Sequence, residues 1–359
     1  MKIKTELLKE MISAAVKGAG NNKFLPITEL IGINAQDNIL SMTCTDATNY
    51  IEVAEPVECE PFYVAVNADI FAKLVGKITS NETEITVTEN AVIIKGNGEY
   101  KLGIQLDEDG KAVKFEDKFT ADDDIWKVDK HTIKTETIER ILSVNKSALA
   151  TTLELPCYTG YYCGKDVVST DTYKITVLDT NIFNEPCLIS PQVMELLSVF
   201  KGDDIDVYAK DDIMIFVDEK IKIFTHKLAG IEDFAIDAIN KLMDSEFEKF
   251  CTFNRQAMIN LLDRISLFVG PYDNNAVMLN FTDKGIQVSS RQSNGVEIIP
   301  YAGLADVTPY QCSIDVNLLM TQLKSQTSDI TELWYGNDKA IKMCSDDVTQ
   351  IVCLIEIKD

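Results

Sequence analysis

Apolar and polar residues change period several times along this chain, and the order of the changes recurs. Between 167 and 177 the sequence VVSTDTYKITV alternates and is rich in Val, Ile, Thr and Tyr, the pattern of paired strand. Ser190-Pro191 follows, a capping residue and then a proline at the first helical position, where no amide partner is needed. Val193, Met194, Leu196, Leu197 and Phe200 give the resulting helix one apolar face. The same signals begin at Asn67, with Ile70, Phe71, Leu74, Val75 and Ile78, and at Asp315, with Val316, Leu319, Met320 and Leu323. These three starts lie 123 and 125 residues apart.

A second set of helices opens each stretch. Leu7, Leu8, Met11, Ile12, Ala15 and Val16 share a face in the first, and Ile138, Ile141, Leu142 and Leu149 in the second. Six helices are predicted in all: 7–20, 67–80, 136–149, 190–202, 254–268 and 315–326. Strands fill the intervals, the last reaching Ile357, and Gly96-Asn97-Gly98 reads as a hairpin turn. Two acid-rich stretches, 107–131 and 229–250, read as linkers, the first blending into a strand near Trp126. The pattern predicts an α+β fold of three structurally similar domains, 1–122, 123–245 and 246–359, each with two helices packed on antiparallel sheets. Two unequal α+β domains are the alternative architecture.

Composition narrows the class. The chain has 359 residues, 46% hydrophobic and 25% charged, enough for ordinary cores in two or three domains. No apolar run approaches the ~20 residues that span a bilayer, and the first residues show no signal-peptide pattern. Nine scattered cysteines without a C-x-x-C pair read as reduced thiols in a cytoplasmic protein. A net charge of −23 opposes non-specific binding to phosphate-rich partners. Its placement changes the picture, because the six helices carry ten basic and seven acidic side chains. Three of those acids, Asp69, Glu136 and Asp315, sit at helix starts, where the macrodipole favours them. The helix faces are thus more basic than their surroundings, although solvated lysines on polar faces account for that equally well.

Catalytic patterns are missing. There is no phosphate-binding glycine loop, no H-E-x-x-H and no G-x-S-x-G. His131 and His226 have no patterned partners, and the triplet Asp122-Asp123-Asp124 reads as solvated linker. Tyr161, Tyr162 and Tyr272 read as packing residues. No catalytic residue, metal ligand or cofactor is assigned, and a non-enzymatic binding protein is expected. Two rivals stand beside it: an acidic hydrolase whose carboxylates meet only in the fold, and a repeat scaffold that binds only proteins.

Four stretches carry a family likeness. They are Leu25-Pro26-Ile27; LSMTCTD from Leu40 to Asp46; STDTYKI from Ser169 to Ile175; and THKLAG from Thr225 to Gly230, followed by Glu232-Asp233-Phe234. Through them the chain resembles, along its whole length, the bacterial DNA polymerase III beta subunit, the sliding clamp. The resemblance implies the DNA clamp fold and a ring-forming, head-to-tail homodimer through which double-stranded DNA passes, held by phosphate contacts that do not read bases. The DNA-facing residues it implies are Lys9, Lys17, Lys23, Lys73, Lys77, Arg140, Lys146, Lys201, Arg255, Arg264 and Lys324. It also implies a groove for short hydrophobic peptides of the replicative DNA polymerase and clamp-loader subunits. The matching positions are Tyr158, Thr170, Tyr173, Lys174 and Ile175, with Val352, Cys353, Leu354 and Ile355. Tyr100, Leu102, Leu267 and Phe268 match the ring seam. The chain departs from the family where Thr172-Tyr173-Lys174 replaces Gly-His-Arg, where Cys353-Leu354-Ile355-Glu356 replaces Met-Pro-x-Arg, and where Glu232 replaces a proline. Those departures imply an altered peptide preference.

Overall fold

The structure, a computed structural model, describes residues 1–120, 123–292, 294–303 and 309–356. Asp122, at the first expected domain boundary, and Ile357, the expected end of the last strand, lie outside the described residues. One plan is repeated three times along the chain. The first pass holds β1 (Lys2–Lys4), α1 (Thr5–Ala15), β2 (Leu30–Gln36), β3 (Ile39–Thr45), β4 (Tyr50–Pro56), β5 (Phe62–Asn67), α2 (Ala68–Gly76), β6 (Glu82–Val87), β7 (Ala91–Lys95) and β8 (Glu99–Gly103). The second holds β9 (His131–Lys134), α3 (Thr135–Val144), β10 (Tyr161–Cys163), β11 (Val167–Thr170), β12 (Lys174–Leu178), β13 (Cys187–Ile189), α4 (Pro191–Leu197), β14 (Asp204–Lys210), β15 (Ile213–Val217) and β16 (Ile221–His226). After an additional helix, α5 (Ile236–Met243), the third holds β17 (Lys249–Asn254), α6 (Arg255–Ile265), β18 (Ala276–Thr282), β19 (Gly285–Ser290), β20 (Val296–Ile299), β21 (Tyr310–Asp315), α7 (Val316–Ser325), β22 (Ile330–Tyr335), β23 (Ala340–Ser345) and β24 (Val348–Cys353).

The local signals behave as their chemistry requires. Asn67, Asn254 and Asp315 each turn a side-chain oxygen onto a free amide of the first helical turn, from Ile70 (3.0 Å), Ala257 (2.8 Å) and Asn317 (2.7 Å). Gly96-Asn97-Gly98 closes the β7–β8 hairpin. Two expectations are corrected. The stretch 229–250 is not a plain linker: α5 lies within it and buries Ile239. The strand expected near Trp126 is a short 3-10 turn, Asp124–Lys127, and the strand begins at His131.

The chain divides into two compact units. The first comprises Met1–Ile138 and Gln192–Lys227. It holds a four-stranded sheet, β1-β6-β7-β8, and an eight-stranded sheet, β5-β2-β3-β4-β16-β15-β14-β9. Leu8, Met11, Ile12 and Ala15 of α1 are buried, and α1 packs on β3, β4 and α2. The second unit comprises Glu139–Pro191 and the chain from Leu228 onward. Its eight-stranded sheet is β13-β10-β11-β12-β24-β23-β22-β17, and its four-stranded sheet is β20-β19-β18-β21.

Every pairing is antiparallel, and the two long sheets are built alike. Each joins four strands from one pass to four from the next, through β4 against β16 and β12 against β24. The fourth strand of one pass thus meets the last strand of the next in both sheets. β8 and β20, like the other end strands of the four sheets, are paired on one side only among the described residues.

Candidate functional site

A Thr-Asp turn held by several side-chain hydrogen bonds occurs twice. In the second unit, Thr170 Oγ1 donates to the Lys174 carbonyl (2.8 Å) and accepts from the Thr172 amide (3.0 Å). Asp171 accepts from the amides of Tyr173 (3.0 Å) and Lys174 (2.9 Å) and from the Lys174 ammonium. In the first unit Thr45 and Asp46 repeat this with Ala47, Thr48 and Asn49, Asn49 Nδ2 taking the place of the ammonium at 2.7 Å. Both turns force a side chain into the left-handed region, Ala47 at φ 84° and Thr172 at φ 77°. Tyr173 is thereby held 64% exposed, while Lys174 is buried on its ion pair.

The positions matched to the groove divide into two sets. Tyr158 and Ile175 belong to one apolar cluster with Cys157, Val168, Leu188, Phe234, Ile239 and Ile351. Tyr158 meets the Phe234 ring edge-on at 5.2 Å, and Tyr162 stacks on Phe234 at 5.0 Å. Cys353 joins this side, its amide donating to the Tyr173 carbonyl at 2.9 Å. Val352 does not line it: strand alternation turns that side chain into the core of the third pass, fully buried with Phe281, Val288 and Leu333. Leu354 packs against that same core and bridges to Ile314, and the Ile355 amide bonds the Ser313 carbonyl. Residues not expected at the site are Phe234 and the α5 side chains Ile236, Ile239, Leu242 and Met243. Their spacing, one apolar residue every three, was the available signal.

The eleven cations also divide. In the first unit, Lys9, Lys17 and Lys201 line one concavity of about 1240 Å³ together with Glu10, Asp203, Asp218 and Lys220. Lys23 and Lys77 are exposed, and Lys73 is exposed on a pair with Asp69 at 2.7 Å. In the second unit, Lys146 and Lys324 are exposed. The three arginines are engaged in structure. Arg140 holds Asp347 (2.5 Å) and Thr327 (3.2 Å). Arg255 donates to the carbonyls of Ser328 (2.6 Å) and Leu323 (3.3 Å). Arg264 grips Glu297 through two bonds of 2.6 and 2.8 Å, which lowers the Glu297 carboxyl below its usual range and raises the guanidinium.

Around the edge strands β8 and β20 lie exposed apolar side chains. Tyr100 is exposed and Leu102 half-buried on β8. Leu267, 81% exposed, and Phe268 follow α6, and Val296 and Ile298 are exposed on β20 itself. The last two were not singled out in the sequence, because four residues of alternation do not reveal a sheet edge.

Other chemistry is sparse. His226 Nδ1 lies 3.0 Å from Asp212, whose carboxyl is lowered chiefly by that hydrogen bond. All nine cysteines are free, and burial pushes Cys251 and Cys312 up to about 12, so those thiols are unreactive. Among the described residues no group of three or more His, Cys, Asp or Glu is arranged to hold a metal, and no helix is long and apolar enough to cross a membrane.

Residues 1–112 match the family model for the DNA polymerase III beta subunit, N-terminal domain. No curated protein sequence matches the chain. Among solved structures it is similar to the DNA polymerase sliding clamp from Bacillus subtilis, with 18% identity, a TM-score of 0.83 and 99% of each chain covered. The beta subunit from DNA polymerase of Streptococcus pyogenes gives 17% identity and 0.85, again over 99% of each chain. The DNA polymerase III beta subunit from Thermotoga maritima gives 13% and 0.83 at the same coverage. From end to end the chain therefore has the fold of the bacterial DNA polymerase III beta sliding clamps, and its first 112 residues match that family's N-terminal domain.

Proposed function

We propose that this chain is a non-catalytic DNA sliding clamp of the cytoplasm, a processivity factor that encircles duplex DNA as a head-to-tail homodimer of three-domain chains. The observation that carries the reading is the sheet arithmetic. Two seams within the chain join β4 to β16 and β12 to β24. The next step of the same series is β20 against β8 of a second copy, and both strands have a free side among the described residues. A series that continues between chains and returns to its start gives a closed ring. Exposed lysines on the opening and central helices supply phosphate contacts without sequence readout. The negative remainder keeps DNA off other surfaces. The ring does no chemistry; it holds a replicative DNA polymerase at the primer end by raising its effective concentration. The polymerase and the clamp-loader subunits dock short apolar peptides on the cluster around Tyr158, Phe234 and Ile175, beside Tyr173 and Cys353.

The test has two parts. Sedimentation should give twice 40.1 kDa, and a loaded clamp should stay on closed circular DNA and run off linear DNA. A monomer at all concentrations, or equal retention on both DNAs, would reject the ring.

A further inference from the structure

Two connecting segments cross equivalent places on the two long sheets. The Gln105 amide bonds the Ala65 carbonyl on β5, and the Leu228 amide bonds the Leu188 carbonyl on β13. Beyond these points one aromatic ring settles on each sheet. Phe115 lies so close to Gly32 that a Cβ there would come within 2.9 Å of the ring, and Phe234 stacks on Tyr162. Gly32 faces Ala65 and Tyr162 faces Leu188, so the two rings hold one position in the repeat.

The segments carry their charge differently. In the first, Glu116 pairs with Lys118 (2.6 Å), and Asp124 pairs with Lys127 (2.6 Å) and Lys210 (3.6 Å). In the second, residues 229–248 hold six acids, all exposed, against one lysine, Lys241.

These acids border the apolar cluster of Tyr158, Ile175 and Phe234. α5 turns Ile239 into the cluster and leaves Asp237 exposed. Asp233 and Cys157 close on Gly230 from two sides: a Cβ there would lie 3.9 Å from the Asp233 carboxylate and 3.9 Å from Cys157 Cβ. Burial first, and then the charge of Asp233, pushes the Cys157 thiol up; burial and then Asp237 raise the Tyr162 phenol. Nearby cations are partly engaged. Lys174 is buried on Asp171, and the Lys342 ammonium lies 4.8 Å from the centre of the Phe247 ring and 3.4 Å from the Met243 carbonyl. Lys241 and Lys339 are exposed.

Resting on the peptide-docking reading above, we propose that this site selects basic peptides, in which an apolar anchor is flanked by lysine or arginine that meets Asp233 and Asp237. The first segment is neutralised by lysines of its own chain, and the second takes its counter-charge from the partner. An acidic flank would face like charge at the rim, so the same two carboxylates that attract one class of peptide reject another.

The experiment uses the full chain and three labelled synthetic peptides with blocked ends. All share the core Leu-Leu-Phe, flanked by two lysines, two serines or two glutamates, and binding is followed by fluorescence anisotropy. The lysine peptide should bind about two- to fivefold tighter than the serine peptide, and the glutamate peptide weaker than both. The differences should vanish at about 1 M salt. In the double variant Asp233→Asn, Asp237→Asn the three affinities should converge on that of the serine peptide, whose binding reports that the site is still folded. Glu58→Gln with Glu60→Gln makes the same change in net charge in the first unit and should leave the order intact. Equal binding of the three peptides to wild type, or a lysine preference that survives in the Asp233, Asp237 variant, would overturn the proposal and leave the docking site standing. Failure of all three peptides to bind wild type would overturn the docking reading and this inference with it.

Discussion

Gln322, wholly buried on α7, accepts a hydrogen bond from Thr176 Oγ1 at 2.9 Å and donates to the Ile175 carbonyl at 3.3 Å. One buried side chain thus satisfies the strand that carries Ile175 into the apolar cluster. Gln322→Leu strands the Thr176 hydroxyl and should cost about 1–3 kcal/mol. Gln322→Leu with Thr176→Val removes both partners and should cost less than the two single changes summed. Denaturant unfolding of the four proteins checks this, and strict additivity would argue against the bond.

Thr172 holds a β-branched side chain at φ 77°. The left-handed conformation costs a non-glycine residue roughly 1–2 kcal/mol, and glycine gives back about half of that as chain entropy. Thr172→Gly should therefore raise stability by up to about 1 kcal/mol. The unfolding midpoint should move without a change in slope; a drop in midpoint would show that the Thr172 side chain contributes more than its strain.

Glu297 has its carboxyl lowered first by the hydrogen bond from Arg264. A folded-state value below the unfolded one stabilises above the ordinary carboxylate range and is lost as pH falls through the folded value. The contribution is thus present above about pH 4.5, the reference for this group, and fades below it. Arg264→Gln should move the Glu297 titration upward by NMR. No movement would mean the pair does not persist in solution.

Salt dependence separates phosphate contacts from structural arginines. Each of Lys17, Lys73, Lys77 and Lys324 replaced by Gln should flatten the salt dependence of DNA retention by about 0.9 per lost phosphate contact. Arg255→Gln should leave that slope alone and lower stability instead, because its guanidinium is bonded to the Ser328 and Leu323 carbonyls. Equal slopes for all five variants would remove the helices from the DNA path.

Tyr100→Asp places a carboxylate on the free edge strand β8, and Leu267→Asp does so beside β20. Either should give monomers that sediment at 40.1 kDa with unchanged unfolding curves. A dimer that survives both would place the seam elsewhere.

Helices with strong caps could be read from the sequence, since Asn67 and Asp315 act within three residues of themselves. The Thr-Asp motif was legible as a likeness, but its two strained residues were not, because Ala47 and Thr172 are poor indicators of a left-handed turn. The helix α5 was hidden by the acids around it. Arg255 looked like a surface cation because its acceptors, the carbonyls of Leu323 and Ser328, lie some seventy residues away. Val352 was misread for a related reason. Only the pairing of β24 with β12 decides which face of the strand it occupies.

The shared sheets also govern how this molecule can be taken apart. Cutting after the first repeat would strip β16 from β4, and cutting after the second would strip β24 from β12. Each fragment would carry a raw edge of unsatisfied amides and carbonyls, which invites pairing with any strand at hand. Dissection by repeat should therefore give precipitates or tangled oligomers, and shorter working versions would have to be sought along the sheets instead.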